Sequence, residues 1–361
     1  MKDLGRATSS RSVHVTKLQE FTRRAFQSTG LSLADAETGA DVLVTTDAWG
    51  VFTHGTKSLA GYLRRLQAGG LRTSGQPTVV AEGSAWAIMD GGSALGMITS
   101  TVAMEKAMAT AKSAGVAYVG VRNSCHFGAA GYYAWLAARQ GLIGITFAND
   151  RPSVTAPGAR GAMLGSNPIA YAIPTGRHRP IILDIATSTV AGGKVAAARA
   201  LGKRIPPDWL VDADGRPTTD PADFYKGGAL APMAGHKGYG FALLGEVLAG
   251  VLTGAALRFA VGSWIESDPS LATGHGAAFL AIDPGMGSPA SEFPRRIDLL
   301  IDEIHAAPKA AGATRIYVPG EREWEHYDQA IARGIELPPD VLDSLDLAAR
   351  LSGQDLRSLF D

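Results

Sequence analysis

Apolar positions recur along this chain with two different periods, and the change of period divides it. Leu18, Phe21 and Ala25 fall on one helical face, behind a capping-box pattern formed by Thr16 and Gln19. A second start at Ser32 leads through Leu33, Ala36, Ala40 and Leu43 toward Gly50. A third helix carries Leu59, Tyr62, Leu63 and Leu66 to Gly69 and Gly70, a usual stop signal. The polar, Gly/Pro-containing stretch 72–77 then marks a predicted domain boundary. Beyond it short β-branched runs alternate with helical ones, giving strands at 86–89, 117–121, 143–147, 169–173 and 181–183. The helices between them are predicted at 100–114, 129–139 and 190–200. Residues 202–234 are rich in turn signals. They lead into Gly235-His236-Lys237-Gly238-Tyr239-Gly240 and an apolar helix at 241–253. A strand at 279–282, a helix at 291–304, a last strand at 315–318 and helices at 324–333 and 339–352 complete the pattern.

The organisation so predicted is α/β. Residues 1–14 read as a polar, flexible leader, 15–76 with 321–361 as a helical domain, and 77–320 as an inserted α/β domain. Composition narrows the function. With 34 basic and 34 acidic residues there is no electrostatic case for nucleic acid or an anionic membrane as partner. The single cysteine, Cys125, excludes an intrachain disulfide and a cysteine-rich metal site, and fits a cytoplasmic protein. No metal site is expected. The apolar run at 247–257 is far shorter than the ~20 residues a membrane span needs, and the N-terminal residues lack a signal-peptide core.

Candidate chemistry lies where strands give way to helices. The stretch 123–133, Asn-Ser-Cys-His-Phe-Gly-Ala-Ala-Gly-Tyr-Tyr, follows one predicted strand and opens a helix. His126 therefore stands in a crossover of the kind that holds ligands in open α/β sheets, although a helix-capping histidine would look the same. Thr53 and His54 sit at a helix junction, where an N-cap beside a surface histidine is the plainer reading. Lys237, in a glycine-rich turn before a helix, could meet a phosphate or carboxylate or be an ordinary solvated turn residue. Several chemistries are absent. There is no Gly-x-Ser-x-Gly elbow, no His-Glu-x-x-His pair and no Walker loop. The Gly-x-Gly-x-x-Gly fingerprint begins at Gly274-His275-Gly276 but lacks its third glycine and precedes a strand, so a nicotinamide enzyme with this sequence would need a different cofactor fold.

Taken together the motifs resemble those of the type 2 malate/L-lactate dehydrogenase family, which includes L-sulfolactate, ureidoglycolate and diketogulonate oxidoreductases. The matching segments are Thr53-His54-Gly55, residues 123–133, Leu164-Gly165-Ser166-Asn167-Pro168-Ile169-Ala170, Asp184-Ile185-Ala186-Thr187-Ser188, Pro217-Thr218-Thr219-Asp220-Pro221, His236-Lys237-Gly238-Tyr239-Gly240 and Pro319-Gly320-Glu321. They run in family order over roughly residues 15–350. The resemblance implies a non-Rossmann NAD(P)-binding, L-sulfolactate dehydrogenase-like fold, a homodimer, and hydride transfer between NAD or NADP and a small-molecule 2-oxo or 2-hydroxy acid. It also implies roles. His54 corresponds to the family's acid/base histidine, with Thr53 and Asp184 orienting or relaying to it, and His126 to a second histidine that polarises the carbonyl or shares the proton work. Asn149, Asp184, Ile185, Ala186, Thr187, Ser188, His236, Lys237, Gly320 and Glu321 match cofactor-side positions.

Reducing a ketone places negative charge on oxygen, so a proton donor and a polarising group are both needed there, and imidazole titrates nearest neutral pH. The sequence leaves open which histidine donates, and it does not choose between NADH and NADPH. Departures from the family pattern fall on the substrate side. Positions that commonly hold Arg are Trp49, Ser58 and Gly192 here, and neither Trp nor Ser supplies a bidentate fork for a carboxylate. Lys57 adjoins that gap. An atypical substrate follows. Two alternatives are a cyclic imine reductase on the same fold and a non-catalytic nucleotide- or metabolite-binding descendant.

Overall fold

The chain opens with β1 (Arg11–Val13), α1 (Val15–Gln27), α2 (Leu33–Ala48) and α3 (Leu59–Ala68) in a computed structural model that describes residues 9–360 except 288 and 290. Ser32 starts α2 as expected, its hydroxyl accepting the Asp35 amide at 3.1 Å. Gly69 ends α3 in the left-handed region, φ 89°, which glycine enters without a Cβ penalty. The capping box at Thr16 does not form. His14 is the N-cap instead and its Nδ1 lies 2.8 Å from Thr16 Oγ1, while the Gln19 amide reaches Asp41 on α2. Residues 11–13 were expected within a flexible leader. They pair antiparallel with β12 (Ile335–Leu337), tying the two ends of the described chain together.

The middle of the chain builds one seven-stranded sheet. Its strands are β2 (Thr78–Gly83), β3 (Trp86–Asp90), β4 (Val116–Ser124), β5 (Ile143–Ala148), β6 (Ile169–Ile173), β7 (Ile181–Ile185) and β11 (His275–Ile282), in the order β2-β3-β4-β11-β5-β6-β7. The neighbours β3 and β4 are parallel, joined through α4 (Gly96–Ala114), and the other neighbouring pairs are antiparallel. The unit β4, α5 (Ala130–Arg139), β5 also returns in the same direction, but β11 is threaded between its two strands. This insertion, with the antiparallel pairing it brings, separates the sheet from a doubly wound one. β11 begins at His275, four residues earlier than its apolar run suggested. The alternation of β2 is exposed throughout, which hid it from a search for buried strands.

Residues 202–234 hold more order than turn signals implied. A helix α6 (Gly192–Ala200) precedes a small sheet of β8 (Leu210–Val211), β9 (Pro217–Thr218) and β10 (Ala229–Leu230) in the order β10-β8-β9. The helix α7 (His236–Gly245) continues into a π turn over Glu246–Val251, and α8 (Glu292–Ala306), α9 (Glu321–Arg333) and α10 (Pro339–Ser352) follow. The strand expected at 315–318 is absent. The Val318 amide is taken by the Glu321 carboxylate at 3.0 Å, and β7 donates to this segment through Ile182 N to Pro319 O. The main core runs through both helices and sheet, burying Leu18, Phe26, Leu43 and Tyr62 together with Met97, Val119 and Phe279. Each such side chain contributes roughly 1.5–3 kcal/mol by leaving water, so α1, α2, α3 and α10 are fixed against α4, α5 and the sheet.

Candidate active site

Between α2 and α3 the chain makes two 3₁₀ turns, Phe52–His54 and Thr56–Ser58, with Gly55 at their junction. Asp47, buried at the end of α2, holds this junction from below. Its Oδ2 accepts the Thr56 amide at 3.0 Å and the Thr56 hydroxyl at 2.5 Å. Its Oδ1 has no hydrogen-bond partner and occupies the space a Cβ on residue 55 would need, so only glycine fits there. Burial pushes the Asp47 carboxyl up to about 7, against the lowering effect of the two Thr56 bonds.

The β4–α5 turn brings the second imidazole to the first. Asn123 and Gly128 adopt left-handed φ values, 51° and 80°, and a Cβ on Gly128 would stand 3.4 Å from the His54 carbonyl oxygen. The two turns are thus packed on each other. His54 and His126 stack with centroids 5.6 Å apart and planes inclined by 26°. Thr53 Oγ1 lies 3.0 Å from His54 Nδ1. Tyr62 Oη lies 2.5 Å from His126 Nδ1, and the Gly128 N–H also points to that nitrogen at 3.5 Å. An amide N–H can only donate. Nδ1 of His126 is therefore the acceptor and the ring proton sits on Nε2. Burial lowers both imidazoles below the ordinary histidine range. At His126 the neighbouring His54 and His275 add to the effect and the lowering is large, whereas at His54 the Asp150 carboxylate opposes it.

Five residues of this pocket were not singled out from the sequence. Tyr62 was read as an apolar-face residue of α3. Trp264 stacks on His126 with centroids 4.2 Å apart and planes 11° apart, and on Tyr62 at 5.3 Å. Asp150, at the end of β5, accepts from His275 Nε2 at 3.1 Å, and Thr273 Oγ1 stands 2.9 Å from the other ring nitrogen of His275. The polar end of β5 and the histidine inside the interrupted glycine pattern were both visible in the sequence. Their meeting, across 125 residues, was not.

Asp184 is engaged at the start of α5. Its Oδ2 accepts the Gly131 amide at 2.7 Å, at the N-terminus of α5, where unpaired helix amides attract a carboxylate. The carboxyl is surrounded by protein on its inner side although the residue keeps an exposed edge, and this pushes its pKa up to about 6, with Glu323 adding and the Gly131 bond opposing. Of the cofactor-side positions, Asn149 is buried with both amide ends engaged: Nδ2 donates to Ala256 O and Oδ1 accepts from Gly276 N, each at 2.8 Å. It is a scaffold latch between β5, β11 and the segment after the π turn. Ile185 and Ala186 are partly exposed at the end of β7. Thr187 and Ser188 are buried, and the Thr187 carbonyl accepts the Met233 amide at 2.9 Å, so the turn leading to His236 and Lys237 lies against this segment. His236 and Lys237 are exposed in the first turn of α7. Gly320, φ 95°, packs against Ile182 of β7, while Glu321 is committed to Arg315 at 3.1 Å and His305 at 2.9 Å.

The substrate-side positions also resolve. Trp49 is buried in an edge-to-face cluster with Trp135 and Trp324, at 5.4 and 5.9 Å, and is a core residue. Ser58 is buried with its hydroxyl 3.4 Å from the Thr53 carbonyl. Lys57 turns away to Asp340 on α10 at 2.6 Å and does not fill the arginine gap. Among the described residues no group of three or more His, Cys, Asp or Glu converges as a metal site, and no helix is long and apolar enough to cross a membrane.

Two stacked imidazoles beside a mixed sheet that lacks a dinucleotide glycine loop stand apart from the doubly wound cofactor folds, and solved dehydrogenases share this architecture. Sulfolactate dehydrogenase from Methanocaldococcus jannaschii superposes with a TM-score of 0.90 at 33% identity, covering 97% of this chain and 100% of that one. The malate/L-lactate dehydrogenase family model matches residues 13–346, and the chain belongs to that family. It is similar to malate dehydrogenase from Pyrococcus horikoshii, 35% identical over 93% of this chain and 94% of the relative. It is also similar to Δ1-pyrroline-2-carboxylate/Δ1-piperideine-2-carboxylate reductase from Pseudomonas putida, 32% identical over 92% and 95%.

Proposed function

We propose that the protein interconverts a small 2-oxo acid and its 2-hydroxy acid, with His54 as the proton carrier and His126 as the group that polarises the carbonyl. The observation that carries this reading is the division of labour between the stacked rings. His126, with Nδ1 capped by Tyr62 and the Gly128 amide, is a fixed neutral donor through Nε2 and keeps its proton. His54 is the more weakly lowered of the two and faces the Asp150 charge, which favours its protonated form. A donor that stays neutral and a neighbour that titrates are the two groups a developing alkoxide requires.

The residues present suit a nicotinamide dinucleotide. Lys237 and the first amides of the ten-residue α7 offer positive charge to a pyrophosphate, and Ile185 and Ala186 offer a partly exposed apolar edge beside Asp184. Thr187, Ser188 and Gly320 shape that edge through backbone. The cofactor, NAD or NADP, supplies the hydride when bound. Removal of the arginine fork from the His54 side, with Lys57 tied to Asp340, supports a substrate different from that of arginine-bearing relatives. The similarity to a cyclic imine reductase keeps C=N reduction as the second reading, since the same neutral donor and proton carrier would serve it.

A homodimer is supported by an apolar face along α7 and the π turn. Phe241, Leu244, Val247 and Val251 recur at helical spacing and are 41–56% exposed, a stripe that a second copy would cover. A cytoplasmic location is supported by the single, buried, free cysteine. The division into a helical unit (15–76 with 321–361) and an α/β unit (77–320) is supported by the packing of α10 on α3 and α1. The deciding experiment is oxidation of NADH and NADPH against a panel of 2-oxo acids and cyclic imines, with His54→Ala and His126→Ala beside the parent. Turnover lost in the variants while cofactor still binds establishes the reading. Failure of the parent to bind either cofactor removes it.

A further inference from the structure

His126 is covered by a residue that arrives from far along the chain, and the way that residue is held is unusual. Arg65, on α3, is 2% exposed. Its guanidinium spends itself on backbone carbonyls of one loop: Nε donates to Trp264 O at 2.7 Å, Nη1 to Leu271 O at 3.0 Å, and Nη2 to Ser263 O at 2.8 Å and Ser267 O at 3.2 Å. A planar fork with five N–H groups can pin four points of an irregular segment at once, whereas an ammonium cannot. The same helix is cut back to receive the loop. A Cβ on Gly61 would stand 3.0 Å from Trp264 Cζ3, and a Cβ on Gly70 would collide with the Pro269 carbonyl. Tyr62 lies between these points. It stacks under the Trp264 indole and caps His126 Nδ1. One helix thus fixes the indole, the phenol and, through both, the imidazole.

We propose that Arg65 and Trp264 are positioning residues for His126: the buried guanidinium sets the loop 263–271, and the loop lays the indole flat on the imidazole so that Nε2 alone faces the substrate. This inference rests on the reading of His126 as the carbonyl-polarising group. The groups facing that ring are His54 from the 52–54 turn, Tyr62 from α3, His275 from β11 and the adjacent Cys125, with the Asp150 carboxylate behind His275. Removing the indole leaves all of them in place and lets water reach the exposed face of the ring. Burial is the main cause that lowers His126, so its titration midpoint must then rise toward the ordinary histidine value.

The test is the titration of ¹³C-histidine-labelled protein, full chain and ligand-free, followed by NMR in the parent, Trp264→Ala and Gly61→Ala, with His126→Gln to assign the signal. Gly61→Ala leaves Arg65 untouched and favours the helix, so an effect there cannot be ascribed to unfolding. Arg65→Met, which exposes the loop to collapse, is a supporting variant only. The expected result is a His126 midpoint raised in both Trp264→Ala and Gly61→Ala, more in the former. With it goes a kcat lowered by about tenfold or more at unchanged cofactor affinity, because a misplaced donor costs up to ~10²-fold. A midpoint unchanged in Trp264→Ala overturns the proposal even where activity falls. Because the titration needs no substrate, a raised midpoint in a protein that turns over nothing sinks the hydride-transfer reading and leaves the positioning intact. Turnover with an unmoved midpoint does the reverse.

Discussion

Around His126 the side chains are gripped from several elements at once: Tyr62 from α3, Trp264 from a pinned loop and the Gly128 amide from its own turn. At the start of α7 the arrangement is opposite. His236 and Lys237 stand exposed on a turn in which Ala234 and Gly235 both have positive φ, 46° and 63°, and the helix behind them shows apolar side chains to solvent. The first region is held by contacts from distant parts of the same chain, the kind of preorganisation a donor needs to stabilise developing charge. The second is a surface awaiting something to cover it. Side chains are fixed where the proposed proton transfer lies, and exposed where the proposed cofactor and second copy would dock.

The largest expected effect is at the closed end. His54→Ala should lower kcat by about 10²–10⁴-fold, the usual contribution of a positioned acid/base, with cofactor affinity by fluorescence titration unchanged. A variant that keeps near-parental kcat would transfer the proton role to His126. Next is the support beneath the turn. Asp47 has its carboxyl raised from 3.8 to about 7, so folding favours its protonated form. Stability is then highest below pH 4 with respect to this group and falls as pH rises toward about 7, by at most a few kcal/mol. Asp47→Asn, isosteric and uncharged, should flatten that part of the profile in denaturant melts between pH 4 and 8, and an unchanged slope would remove Asp47 as its cause.

Smaller effects belong to the open end. Lys237→Ala should weaken NAD(P)H binding by about tenfold, equivalent to ~1.4 kcal/mol, with kcat at saturating cofactor little altered. An equal fall in kcat would instead place Lys237 among the reacting groups. Val251→Asp, at the end of the apolar stripe, should shift sedimentation toward monomer while the His126 titration stays as in the parent. A monomeric parent would sink the homodimer proposal outright.

The two regions also differed in how far the sequence revealed them. His54 and His126 could be found because each lies in a short segment where a period ends, one between helices and one after a strand. Tyr62 could not. A helical period shows that a tyrosine faces inward but not that its hydroxyl meets an imidazole from residue 126. Trp264 lies in a loop without period and owes its place to Arg65, about 200 residues earlier, whose burial no local pattern announces. Asp184 was legible as a polar strand end, but its partner is an amide of α5 rather than an imidazole. The strand expected at 315–318 alternates convincingly in Arg315-Ile316-Tyr317-Val318. A side-chain carboxylate takes the Val318 N–H that a ladder would need, and periodicity cannot foresee that competition.

The strand at the centre of the sheet is among the last to be made. β4 and β5 flank β11 on either side, yet more than a hundred residues separate β5 from it in the chain. Until the ribosome has released residue 282, the sheet exists only as two half-sheets, each with an open, hydrogen-bond-hungry edge facing the other. Such long-range closure is slow, and the waiting edges invite pairing with another nascent chain. Soluble yield of this protein should therefore fall as the time between synthesis of β5 and arrival of β11 lengthens, and a holding chaperone that covers the waiting edges should raise it more than any change at the active site.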